Sequence, residues 1–145
     1  MEDAKMICLK DLSPAATNTV NTKFIMLEKG KPMKDGGERT CLTLVADQSA
    51  SVHFQLWGNE CDAFQPGDII HLTNGIFSYH KANLVLRAGK KGRAQKIGEF
   101  IMTFVEMPNM SELRWVRDPS DQKRLIPDPT ISVPPSSRIF PSIQN

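Results

Sequence analysis

Short apolar runs, broken at regular intervals by turn-forming residues, dominate this chain up to about residue 105. The clearest lies at Val52 to Trp57. Val52, Phe54 and Leu56 fall on one side; His53, Gln55 and Trp57 fall on the other. That period of two is the pattern of a half-buried strand. Similar runs predict strands at Thr22 to Leu27, Arg39 to Ala46, Ile69 to His80, Leu84 to Ala88 and Gly98 to Val105. Between them lie an exposed loop from Lys29 to Gly37, a turn at Asp47 to Ala50, and a single helical turn near Glu60 to Phe64. Gln65-Pro66-Gly67-Asp68 is a tight turn, in which Pro sets φ and Gly accepts a positive φ. Gly75 interrupts the long fourth run, as a bulge or sharp bend does. Lys81 to Asn83 closes a hairpin, and Gly89 to Arg93 forms a basic loop.

Five or so strands, frequent turns and no strong helix predict an all-β fold, a small barrel. The five-stranded, partly open Greek-key barrel of the OB-fold fits, and that fold binds oligonucleotides or oligosaccharides across one face. The pattern stops after Pro108. Residues 111–145 hold six of the ten prolines and show no periodicity. They predict an extended or disordered tail beyond a domain of residues 1–110. Leu113, Trp115 and Val116 stand out as a short segment able to dock on the barrel or on a partner.

Charge changes the picture. Between Asp68 and Glu99 the chain has no acidic residue and six bases: Lys81, Arg87, Lys90, Lys91, Arg93 and Lys96. The formal net charge of all 145 residues is only +2. Positive charge confined to one segment predicts a basic surface or a solvated basic hairpin. The N-terminus is mixed and charged, unlike a secretory signal, and no apolar run is long enough to span a bilayer.

Candidate chemistry narrows the picture further. Trp57 is either a core residue or a stacking platform, and the alternation around it argues for the platform. Beyond Gly75 the alternation separates Ile76, Ser78 and His80 from Phe77 and Tyr79; the latter two are expected in the core. Leu84, Leu86 and Ala88 then face inward, while Val85 and Arg87 face out. His80 and Arg87 share that open face, and both side chains stack on bases. No nucleophile, phosphate-loop or zinc-protease motif appears, so no enzyme is expected. No carboxylate pair falls on one predicted face near a His. Cys8, Cys41 and Cys61 are widely spaced, and His53, His71 and His80 lack ligand spacing, so no metal site or cofactor is expected.

Several segments together resemble a known family. They are the strand Val52 to Trp57, the turn Gln65 to Ile70 (QPGDII), Leu72-Thr73-x-Gly75 and Gln95 to Phe100 (QKIGEF), with L-K-D-L-S-P near the start and E-x-P-N at Glu106 to Asn109. They look like the simple eukaryotic single-stranded DNA-binding proteins, the DNA-binding members of the SOSS complex. The likeness covers about residues 7–110. It implies an OB-fold that binds single-stranded DNA, acts in the DNA-damage response and double-strand-break repair in the nucleus, and joins an Integrator-type scaffold subunit and a small third subunit. It also implies that Trp57 is a stacking residue and that Lys31, Lys81 and Lys90 are basic contacts. The family's aromatic positions correspond to Ile76, His80 and Arg87, none aromatic in the family's way here, and another of its basic positions to Asn74. Glu99, Phe100 and Glu106 correspond to its scaffold-binding segment. The leading expectation is therefore a single-strand DNA binder using Trp57, His80, Arg87, Lys31, Lys81 and Lys90. The alternatives are a protein-interaction adaptor with weak nucleic-acid binding, in a repair or RNA-processing assembly, and a single-stranded RNA binder.

Overall fold

Residues 15–29 contain no proline or glycine and carry Thr17, Thr19, Val20, Thr22, Phe24 and Ile25, all strand-favouring, and they form one long strand, β1 (Ala15–Lys29). The computed structural model describes residues 5–128. A short strand, β2 (Met33–Asp35), pairs with β3 (Glu38–Ala46) through a two-residue turn. Gly36 and Gly37 both take positive φ there, as a tight hairpin whose twist matches its strands requires. β4 (Ser51–Trp57) follows, then one turn of helix, α1 (Glu60–Ala63). β5 (Asp68–His80), β6 (Asn83–Arg87) and β7 (Arg93–Glu99) complete the sheet.

The strands run β1-β3-β4-β6-β5, and β5 pairs back onto β1, which closes a barrel. β1 makes this possible by serving two partners: Ile25 lies opposite both Ala46 of β3 and Ile69 of β5. Register shifts after Met26 and around Val20 bend it around the corner. The expected irregularity at Gly75 lies in the same place, since Val20 faces Gly75 while Thr22 faces Leu72. A Cβ on Gly75 would sit 2.5 Å from Leu72 Cδ2, so any larger residue there would have to displace the buried Leu72 side chain. The seam between β4 and β6 is parallel and short, joining Phe54 to Leu86 and Gln55 to Arg87.

Alternation fills the interior. Val52, Phe54 and Leu56 are fully buried beside Phe24, Ile70, Leu72, Phe77 and Leu86. Phe24 and Phe54 meet at 5.0 Å between ring centroids. Asp47 ties the turn before β4 by accepting from the main-chain N–H of Leu9 and of Ser49. No helix among the described residues is long and apolar enough to cross a membrane.

The structure departs from the sequence pattern in four places. Tyr79, expected in the core with Phe77, is 55% exposed, because β5 beyond Phe77 pairs only with β6 and projects past the wall. Val85, expected to face out, is buried at the floor of a surface cleft. The last barrel strand is β7 (Arg93–Glu99), not residues 98–105, which run mostly as an extended strap beside the β3–β4 turn. Pairing explains the shift: Arg93 to Glu99 can lie against Asp68 to Thr73 of β5. Finally, residues 111–128, assigned by composition to the tail, contain a hairpin of β8 (Trp115–Asp118) and β9 (Asp121–Pro127). The apolar exceptions supply its anchor, since Trp115 meets Phe77 edge-on at 6.4 Å and its Nε1–H donates to Met110 O. The remaining tail, 129–145, lies outside the described residues.

Candidate nucleic-acid interface

Two adjacent clefts open on the barrel face formed by β3, β4, β6 and the two protruding hairpins. The β4–β6 seam sets their centre. Gln55 lies opposite Arg87, and Trp57, two residues along β4, points to the same side. The β5–β6 hairpin then brings His80 to Trp57, edge-on with centroids 5.4 Å apart. Trp57 is half-buried rather than fully exposed.

The first cleft, about 410 Å³, lies between the β2–β3 and β5–β6 hairpins. Lys31, Lys34 and Lys81 line it, with His80 and Gln55, over an apolar floor of Leu42 and Val85. The second, about 510 Å³, is lined by Trp57, Arg87 and Lys90, and by Glu38 and Glu60. The six side chains expected to contact nucleic acid therefore collect on one face, half in each cleft. Ile76, at another ligand position of the resembling family, is buried at 9% exposure.

Local backbone geometry positions these residues. Lys81 and Ala82 both take positive φ, so a two-residue turn tips Lys81 into the first cleft. In the loop after β6, Gly89 takes φ +66° and a Cβ on Gly92 would lie 1.6 Å from Ala88 O. Asn18 braces that loop by donating from Nδ2 to Asn74 O at 2.8 Å and to Ala88 O at 3.4 Å. This fixed loop carries Lys90.

Three buried polar atoms on this face, Gln55 Oε1, Trp57 Nε1 and Arg87 Nε, have no hydrogen-bond partner among the described residues. Buried polar groups are ordinarily paired, so each of these atoms has hydrogen-bonding capacity left for a water or a ligand. Glu60 is also shielded, and desolvation raises its carboxyl above the ordinary value of 4.5, against the opposing pull of the Trp57 main-chain N–H it accepts at 3.1 Å. The alternation pattern placed Gln55 beside Trp57. Nothing in it foretold that Glu38, at the start of β3, and Glu60, at the start of α1, would line the same cleft.

The basic run is not all on this face. Lys96 pairs with Glu99 and, at 3.2 Å, with Asp68, and these hydrogen bonds raise its ammonium pKa. The three residues expected at a partner surface lie away from both clefts. Glu99 holds Lys96. Phe100, 72% exposed, packs its ring edge over Gly67. Glu106 is half-buried, and its main-chain O accepts from Ser51 Oγ at 2.6 Å. Among the described residues no group of three His, Cys, Asp or Glu converges as a metal site would.

Barrel order and closure define an OB-fold protein, a class that binds ligands across this face and its flanking loops. The solved structures agree. The chain is similar to the solution structure of a hypothetical protein from Arabidopsis thaliana, with TM-score 0.65 and 19% identity, covering 83% of this chain and 92% of that one. It is also similar to the OB domain of Ta0387 from Thermoplasma acidophilum, with TM-score 0.53 and 15% identity, covering 69% and 93%. At these identities the likeness is one of fold. No family model matches the chain.

Proposed function

We propose that this chain is a non-enzymatic single-stranded DNA-binding protein of the kind that supplies DNA binding to the SOSS complex. In this reading it acts in the nucleus in the DNA-damage response and double-strand-break repair, beside an Integrator-type scaffold subunit and a small third subunit. One observation carries the binding role: Trp57 and His80 meet at the junction of two clefts flanked by Lys31, Lys81, Arg87 and Lys90. Cations spaced along a groove suit a phosphate backbone, and rings within it suit unpaired bases. The segment likeness at QPGDII and QKIGEF supports the narrower assignment.

The test is fluorescence anisotropy of a labelled oligo-dT against the purified protein. Binding at micromolar concentration or tighter, weakening as salt rises, is expected. No binding would overturn the proposal. Competition between matched DNA and RNA oligomers assigns the sugar preference, since only RNA carries the 2′-hydroxyl.

A second reading, a protein adaptor, is favoured by the strap after β7. Phe100 and Ile101 are 72% and 91% exposed there, near Phe104 and Val105. Retention of the scaffold subunit in a pull-down, without oligonucleotide binding, would favour this reading.

A further inference from the structure

We infer that the second cleft is a guanine-selective subsite, a reading that rests on single-strand binding at this face. The reason is the pair of carboxylates. Glu38 and Glu60 line the cleft beside Trp57, Arg87 and Lys90. Carboxylates repel phosphate, so neither Glu38 nor the second oxygen of Glu60 serves a groove that only tracks a backbone. Neither is in an ion pair among the described residues. Glu60 Oε1 accepts from the Trp57 main chain at 3.1 Å, and its second oxygen makes no hydrogen bond among the described residues. Glu38 Oε2 lies 3.7 Å from where a Cβ on Gly58 would stand, at the wall of the same cleft.

An ionised carboxylate only accepts, so it selects an edge rich in donors. In a single strand the Watson–Crick edge of each base is free to be read. Guanine alone presents two adjacent donor groups there, N1–H and the N2 amino group, next to the acceptor O6. Adenine and cytosine place a ring acceptor beside their single amino group. Thymine flanks its one N–H with two carbonyl oxygens. The cleft complements the guanine pattern: two carboxylates for the donors, the Arg87 guanidinium for O6 or N7, and the Trp57 ring to stack the base. Lys90 is placed to meet the adjoining phosphate.

Anisotropy titrations decide it, using labelled oligo-dT and the same oligomer carrying a central guanine, adenine or cytosine. The guanine oligomer is expected to bind about tenfold tighter than the others, within what one well-formed base contact supplies. Glu60→Gln keeps an acceptor for the Trp57 N–H, so the turn is retained, and it is expected to bring the guanine oligomer down to the others. Glu38→Gln, at an exposed side chain, should do the same in part. Equal affinity for all four oligomers, or a guanine preference untouched by both substitutions, would overturn this inference alone. Absence of binding to every oligomer would overturn the single-strand reading and this inference with it.

Discussion

Trp57 carries the heaviest load of any single side chain on the proposed face. It lines the second cleft and meets His80 edge-on. Its truncation should remove a stacking surface while sparing the core, which Val52, Phe54 and Leu56 form on the opposite side of β4. Trp57→Ala is expected to weaken oligo-dT binding by about 1–3 kcal/mol. Anisotropy measures the loss, and an unchanged circular dichroism spectrum verifies the fold. Glu60 makes a different prediction. Desolvation raises its folded-state pKa above the ordinary 4.5, so the folded protein holds the proton more tightly than the unfolded chain. Its contribution to stability is then greatest below the ordinary value and declines as pH rises through the raised one. Glu60→Gln removes that decline. Its melting temperature, relative to the parent protein, should be higher at neutral pH than near pH 4, and a gap of the opposite sign would contradict the assigned cause.

At the scale of elements, the two hairpins that flank the clefts are built differently. The β2–β3 turn uses Gly36 and Gly37 for its positive φ values, whereas the β5–β6 turn holds Lys81 and Ala82 there. A non-glycine residue in the left-handed region costs about 1–2 kcal/mol. Glycine's freer unfolded chain offsets part of the relief, so Ala82→Gly should stabilise the protein by about 0.5–1 kcal/mol. A urea denaturation midpoint reads this directly. Strain of this kind collects at functional positions, and here it directs Lys81 into the first cleft. Most barrel strands were legible in their alternation because side-chain direction is a local, period-two property. The ends were less legible. β7 begins at Arg93, inside a stretch whose glycines and lysines read as loop, because pairing with Asp68 to Thr73 of β5 outweighs its weak strand propensity. The β8–β9 hairpin was hidden for the same reason: its sequence is largely polar, and Trp115 against Phe77 gives it a footing.

For the whole molecule, the question is which charges a bound strand would meet. Lys31, Lys81, Arg87 and Lys90 line the clefts. With Arg87 turned to a base, phosphate contacts from Lys31, Lys81 and Lys90 on a single strand predict a slope of log affinity against log salt of about −2. Lys96→Ala should leave that slope unchanged, because Lys96 is engaged with Asp68 and Glu99. A salt titration of both proteins compares them, and a shallower slope in the variant would mean that Lys96 reaches the strand.

Local pattern was enough to show which side chains face inward from β4, where the turns fall, that positive charge concentrates between Asp68 and Glu99, and that Trp57 stands on the polar side of its strand. Each is a property of neighbours along the chain. Folding of the whole barrel was needed to show that β6 lies parallel to β4 so that Arg87 stands beside Gln55, that Glu38 and Glu60 share a cleft with Trp57, and that Lys96 is turned to carboxylates instead. Those arrangements follow from closing the barrel, which joins residues far apart in sequence. Pairing across that distance depends on the whole set of strands, and no local period encodes it.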